Sequence, residues 1–523
     1  MSLPASTEGP VGIDAAAGTT GASVIRGGLW SVLSGLLPQV FTLVLSVAAA
    51  RFLGPEAMGR QSFIAFVSIS ALTLFGSGLA LGLMRAVAES LGRRAPADTQ
   101  GIVAWARRVQ FIGALAGAAV LAVPAVAGAE PVLAWALAAL VTFLSILQTI
   151  PNAVLIGAQR FRETAVVGLV TGGVAVPTMI VVLALGGGIS GMFGVEAAMV
   201  GANLVWTTLL SRRTLAEIAP IAPHADATLR QATMRYAAVS TLGAVLTLVV
   251  WRRSEFFFLA RYSNDTEIAL YSIAFAAATV LSSVTEKLAG VMSSAFATLH
   301  GARETERLGS GYSRTMRLLT MLGLPLTALS AGGGPAAIEV VYGSDYQGAG
   351  PVLLVLLTAI PLIPLWSVSA SLLVAMGDAR SPLTTGFVAA VVSVTMALVL
   401  IPPYDAVGAA VANVSGQIVS AVMMSRYALR YVGRGGVRWD AGALLRATVA
   451  SVAAGALTYA LCTGVGGALG LAAGVAAGVP ALFLLLVLLR PLSAEDSEWL
   501  QDHVGHHAGG RVGRVARAWG RHG

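Results

Sequence analysis

AAARFLGPEAMGRQSFIAF (48–66) and FLARYSNDTEIALYSIAFA (258–276) are two versions of one element, set 210 residues apart. Ala50-Arg51-Phe52 matches Ala260-Arg261-Tyr262, and Gln61-Ser62-Phe63 matches Tyr271-Ser272-Ile273, without a gap. Each stretch closes one apolar run with a polar turn and opens another, as a chain does when it leaves a bilayer and re-enters it. Recurrence of such a turn at fixed phase implies a duplicated bundle of membrane helices.

Working outward from the two turns, runs of about 20 mostly apolar residues, long enough to span, recur from Gly28 to Arg490. Fourteen are expected, near 28–50, 62–84, 109–128, 131–156, 165–186, 189–210, 236–260, 269–293, 316–341, 351–375, 383–401, 406–428, 441–462 and 465–489. A second correspondence links LIGAQRFR (155–162) with LVAMGDAR (373–380), each between the fourth and fifth helices of its half. A third links GVEAA (194–198) with VGAAV (407–411). Six helices per repeat preserve orientation, so the halves form parallel repeats about an axis along the membrane normal. The fold class is therefore an all-α polytopic membrane protein with two six-helix lobes, 24–222 and 223–435. Two additional helices follow at 436–490, between a disordered tail at 1–23 and a second tail at 491–523. Gly470, Gly474 and Gly478 form a small-residue ridge for packing the last helix against the bundle.

Composition agrees with the spans. A mean hydropathy of +0.80, with 56% hydrophobic and 11% charged residues, excludes a water-soluble globule. The net charge of +8 does not indicate nucleic acid, because the basic residues are scattered between apolar runs. They sort by side instead. With the N-terminus inside, only Arg51, Arg60 and Arg261 fall in outer segments, which places both termini in the cytoplasm of a bacterial inner-membrane protein. Residues 1–23 lack the layout of a signal peptide, so the first run is expected to remain as a membrane helix. Cys462 is the sole cysteine and excludes an internal disulfide.

Charge within the runs marks the candidate site. Lys287, the only lysine, adjoins Glu286 in the eighth run, and the seventh carries Arg252, Arg253 and Glu255. Each such charge costs roughly 2.5–3.5 kcal/mol at a helix centre, so something polar must meet it. Ser272, Ala276, Thr279, Ser283, Glu286, Gly290 and Ser293 follow steps of four and three, drawing a small, polar stripe down one helix face that Lys287 borders. The stripe either lines a polar cavity or forms a packing seam with a buried ion pair. Ser240, Thr247, Trp251 and Glu255 draw a shorter stripe on the seventh run. Arg252 and Arg253 either snorkel to the outer interface or bind a phosphate or pyrophosphate in a hydrated cavity. In the second case Glu255 moderates the field or carries a coupling proton or sodium ion. The five charges leave one net positive charge, which suits an anionic guest.

Weaker features have simpler readings. Gln39, Gln148, Asn152, Asn203, Asn413 and Gln417 read as interhelical hydrogen-bonding glue. Gly332-Gly333-Gly334-Pro335 predicts that the ninth helix unwinds or kinks. His503, His506 and His507 read as a solvated tail. The sequence carries no Walker loop, HExxH, GxSxG elbow or metal-type acidic pair, so no enzyme, metal or cofactor is expected. The short outer loops argue against a membrane glycosyltransferase or polymerase.

ARFLGPEAMGRQSF (50–63), LIGAQRFR, ARYSNDTEIALYSIAF (260–275) and VVYGSDYQGAGPVLLVL (340–356) together resemble the Wzx-type oligosaccharide and polysaccharide flippases of the multidrug/oligosaccharidyl-lipid/polysaccharide exporter superfamily. The resemblance covers most of 24–435. It implies two lobes around a cavity that opens alternately to each side, and a polyprenyl-pyrophosphate-linked glycan as substrate. It also implies membrane lipids, and a polysaccharide polymerase or glycosyltransferases, as partners. Cationic lumen residues hold the head group in such relatives, so Arg252, Arg253 and Lys287 become the substrate-binding candidates, with Glu255, Glu286, Ser283 and Thr279 as coupling or cavity residues. The lipid II branch uses arginines in the body of helix 1, whereas none lies between Arg26 and Arg51. Drug-extruding relatives keep an acidic cation site in helix 1, also missing here. Lipid II transport and cation-coupled multidrug antiport are therefore the alternatives.

Overall fold

The computed structural model describes residues 21–93, 95–218, 227–251, 254–378, 380–432, 440–492 and 496. Its elements are helices: α1 (Gly21–Leu72), a π-helical turn (Thr73–Ser77), α2 (Gly78–Gly92), α3 (Pro96–Val126), α4 (Val132–Gly157), α5 (Phe161–Ala184), α6 (Gly188–Ile218), α7 (Ala227–Trp251) and α8 (Glu255–Tyr262), then α9 (Asp265–Gly301), α10 (Thr305–Tyr342), α11 (Ala349–Leu357), α12 (Ile363–Ala375), α13 (Arg380–Val432), α14 (Ala441–Val465) and α15 (Gly467–Leu489). Twelve helical stretches among the described residues are long and apolar enough to cross a membrane.

Two of the twelve fold back on themselves, which reconciles twelve continuous stretches with about fourteen expected spans. The stretch from α1 to α2 breaks at Gly54, whose φ of 77° and ψ of 171° are open to a residue without Cβ, and Pro55 then starts the second arm with its fixed φ. In α13 the break falls at Asp405, just after Pro402 and Pro403, with φ 47° and ψ −127°. Asp405 accepts a hydrogen bond from Ser263 Oγ at 2.5 Å, and Glu267 accepts one from the Ala406 N–H freed by the break at 3.2 Å.

Other expected spans are interrupted. The seventh run is described as α7 and α8, with residues 252–253 between them outside the described residues. The tenth becomes α11, a 3₁₀ turn at Ile360–Leu362 and α12, because Pro361 and Pro364 supply no N–H to the ladder. The segment Gly332–Pro335 does not unwind: α10 continues through it, with Pro335 inside the helix. Those glycines serve close packing instead. A Cβ on Gly332 would overlap the carbonyl oxygen of Gly455 in α14, so bare backbone lets the two helices touch. Gly470, Gly474 and Gly478 line the buried face of α15, against Cys462 and Thr458 of α14.

The internal repeat is visible as geometry. Ser62 Oγ donates to Ser272 Oγ at 3.1 Å, and these residues are 210 apart, the repeat shift itself. Contact between equivalent residues is what a two-fold relation between the two elements would give. The second correspondence aligns Gln159 with Gly377, and both have positive φ, 61° and 72°. It also aligns Arg160 with Asp378, and each ties its loop to the end of the sixth helix of its half. Arg160 Nη2 contacts Glu217 at 2.6 Å, and Tyr431 Oη donates to Asp378 at 3.1 Å.

Asp378 also accepts from the backbone N–H groups of Arg380 and Ser381 and from Ser381 Oγ, capping α13. The hydroxyl and amide donors of Ser381 hold its carboxyl below the ordinary aspartate range. A depressed folded value means that this stabilisation is complete above the unfolded aspartate pKa and is lost as pH falls through the folded one. Asp378→Ala should therefore lower stability by about 1 kcal/mol at neutral pH. The difference from the parent should vanish in acid, a comparison that thermal melts of the detergent-solubilised protein can make.

The largest core lies at the end of the bundle carrying Arg51 and Arg60. Ala50, Met58 and Phe66 of α1 pack there with Phe256, Ile268, Tyr271, Tyr342 and Tyr346. Arg51 donates to the last carbonyls of α10, Val340 and Val341, at 2.7 and 2.9 Å. Tyr346 donates to the Ala50 carbonyl at 2.9 Å, and Arg60 pairs with Asp265 at 2.8 Å. A Cβ on Gly59 would overlap the Asp265 carbonyl oxygen. This end of the bundle is closed.

Candidate functional site

A polar column begins where that seal stops. A cavity of about 700 Å³ is bounded by α1, α7, α9, the α11–α12 segment and the second arm of α13. A smaller one, about 360 Å³, continues from it and shares Glu286, Lys287 and Trp366. The seven stripe residues of α9 are distributed along both. Ser272, Ala276, Thr279, Ser283 and Glu286 line the larger, and Glu286, Gly290 and Ser293 line the smaller. Ser272 to Ser293 rises about 30 Å along the helix, roughly the thickness of a hydrocarbon core. Periodicity thus becomes a continuous hydrophilic wall.

Lys287 stands where the two cavities join. It is exposed into them and makes no ion pair or hydrogen bond with the described residues. Glu286 lies beside it on the same wall. Arg252 and Arg253 lie outside the described residues, immediately after Trp251, which lines the larger cavity.

Glu255 occupies a different place from the one its stripe suggested. It is 0% exposed, at the start of α8, and is not among the lining residues. Tyr271 Oη donates to it at 3.0 Å, Asn413 Nδ2 at 3.1 Å and Ser393 Oγ at 3.4 Å. Gln417 Nε2 donates to Asn413 Oδ1 at 2.6 Å, and both amides face the cavity. Three donors on one carboxylate answer the cost of burying it. The result is a carboxylate one residue behind the wall, reached through Asn413. Glu255 opens α8, just past residues 252–253, which lie outside the described residues.

Sequence reasoning missed part of the wall. Thr42, Ser46, Gln61 and Ser62 of α1 face the cavity, as does Trp366, whose ring packs against Trp251 with centroids 4.4 Å apart and planes at 39°. Spacing could have found Ser46 and Ser62 with Thr42, but Trp366 sits in an interrupted helix without a clean period. Asn413 and Gln417 are both glue and wall. Gln148 and Asn203 remain glue, bonded to each other at 2.6 Å and, through Asn203, to Thr171 at 3.1 Å.

A helical bundle of membrane-length segments, closed at one end around a polar column whose lysine has no partner among the described residues, is built to pass a polar guest between two sides of a bilayer. The class is a membrane transporter or flippase. Within that class, the chain belongs to the polysaccharide biosynthesis protein family, whose profile matches residues 48–351. No curated protein matches it in sequence. Among solved structures, the lipid II flippase MurJ in an inward closed conformation is 11% identical with a TM-score of 0.65, covering 91% of this chain and 99% of that one. An inward-facing multidrug resistance MATE family transporter of the MOP superfamily is 16% identical with a TM-score of 0.64, covering 75% and 94%. A MOP superfamily transporter from Pyrococcus furiosus is 16% identical with a TM-score of 0.54, covering 78% and 95%. These likenesses share the fold, and the family is the one expected from the motifs at 50–63 and 260–275.

Proposed function

We propose that this chain flips a polyprenyl-pyrophosphate-linked oligosaccharide or polysaccharide precursor across the bacterial inner membrane, by alternating access between lobes 24–222 and 223–435. The observation that supports this reading is Lys287, a cation without a counter-ion among the described residues, at the junction of a hydroxyl-lined column. An ammonium exposed into the column leaves its charge for a guest to answer, and a pyrophosphate supplies two anionic groups. Ser283, Thr279 and Glu286 then face the glycan, while Arg252 and Arg253 add charge to the same head group. The arginine pattern puts the Arg51 and Arg60 end outside and both termini in the cytoplasm, so the column opens inward. Membrane lipids surround the bundle, and a polymerase or glycosyltransferase meets the product outside. The test is depletion of the chain, which should leave one lipid-linked glycan species on the inner leaflet. Unchanged leaflet distribution of every such species would sink the reading.

Cation-coupled multidrug antiport is a second reading, favoured by Glu255 and its three donors. Glu255 serves either reading as the residue that carries a proton or sodium ion. Glu255→Gln keeps the size of the side chain and removes its charge. Transport into vesicles should fall about tenfold and lose its response to an imposed proton or sodium gradient. A variant that still follows the gradient would remove Glu255 from coupling.

A further inference from the structure

Trp251 and Trp366 form the one aromatic pair on the wall beside Lys287 among the described residues. Trp366 lines both cavities and Trp251 the larger, and their rings pack together at 4.4 Å, so α7 and α12 place two indoles side by side on the wall. Two half-buried indoles facing a polar column need an occupant, because they leave apolar area in contact with water. The flanking groups restrict what fits. Lys287 offers a positive charge, Glu286 accepts hydrogen bonds from hydroxyls, and Ser367 and Ser371 border the smaller cavity.

Resting on the flippase reading, we propose that Trp251 and Trp366 are the docking platform for the first sugar of the glycan, and that Lys287 holds the phosphate joined to it. A pyranose presents axial C–H bonds on one face and hydroxyls around its rim. The electron-rich face of an indole attracts those C–H bonds, as it attracts any partial positive charge. The rim hydroxyls then reach Glu286 and the serines. The site thereby recognises a sugar-1-phosphate unit, the invariant junction of a lipid-linked glycan, rather than the lipid chain or the distal sugars. That explains how one column could pass a long glycan: only its reducing end is gripped.

The test uses the full chain in nanodiscs and two short-chain polyprenyl pyrophosphates, one bearing a single hexose and one bare. The parent should bind the hexose-bearing lipid about tenfold more tightly. Trp251→Ala with Trp366→Ala should erase that preference while leaving affinity for the bare lipid unchanged, which also shows that the variant is folded. Trp251→Phe with Trp366→Phe, which keeps an aromatic face, should retain most of the preference. Lys287→Ala should weaken both lipids alike. Full preference in the double alanine variant overturns the platform and leaves the flippase reading intact. A parent that binds neither lipid overturns both, and a preference that follows Lys287 instead of the tryptophans overturns the division of labour proposed here.

Discussion

Replacing Lys287 with alanine should reduce glycan export by about ten- to a hundredfold while the protein still reaches the membrane at its normal level. The size follows from the bond removed. A hydrogen bond to a charged group contributes about 1.5–3 kcal/mol, or roughly one to two powers of ten in affinity. The normal level follows from what Lys287 lacks: it has no counter-ion among the described residues, so its loss leaves no protein group stranded. Arg317 is the contrasting case. It and Arg314 both grip Asp496 of the C-terminal tail, at 2.9 and 3.1 Å, with Asp496 2% exposed. Arg317→Ala should destabilise the protein without a specific effect on substrate, because it removes one of the two arginines that hold the buried Asp496 carboxylate. Lys287→Arg should restore most export and Lys287→Glu none. The measurement is exported glycan together with the leaflet position of its lipid-linked precursor. Adding Arg252→Ala and Arg253→Ala should deepen the defect. Full export by the triple variant would end the claim that this column binds an anion.

How much of this was legible in sequence depends on the length scale of each feature. Spans, repeat and polar stripe are periodic over many residues, and all reappear: the stripe of α9 lines the two cavities residue for residue. The repeat aligned Ser62 with Ser272 but gave no sign that the two would bond to each other. Breaks within spans were harder. Pro361 and Pro364 do interrupt a helix, whereas Gly332–Pro335 does not, because α14 packs so closely there that helical backbone is held on both sides. A local breaker signal states a preference, and tertiary contact decides its outcome. Glu255 illustrates the same limit. Its charge within an apolar run was legible, but its three donors come from α9 and both arms of α13, so no spacing along the chain reveals them.

Gly59→Ala should have the largest conformational effect, because the closed end of the bundle depends on a contact that only hydrogen permits. The new Cβ would overlap the backbone carbonyl oxygen of Asp265, which no side-chain rotation relieves. The α1 and α9 helices must then separate. Separation also strains the neighbouring Arg60–Asp265 pair, the bond from Ser62 to Ser272, and the edge-to-face contact of Phe66 with Phe256 at 5.4 Å. Each is small, but all belong to one conformation, and overpacking alone costs about 1–3 kcal/mol. A two-state equilibrium shifts by exactly the difference that a change makes between its states, so roughly a ten- to hundredfold rise in the state open at the Arg60 end is expected. Thr279→Cys in a Cys462→Ala background places one thiol on the cavity wall. Its labelling by a membrane-impermeant reagent added outside should accelerate by that factor in Gly59→Ala, and transport should fall because the return to the closed state is disfavoured. If labelling accelerates only when the reagent is inside, the Arg60 end is not the outer gate. If it does not change from either side, the contact at Gly59 does not set the equilibrium.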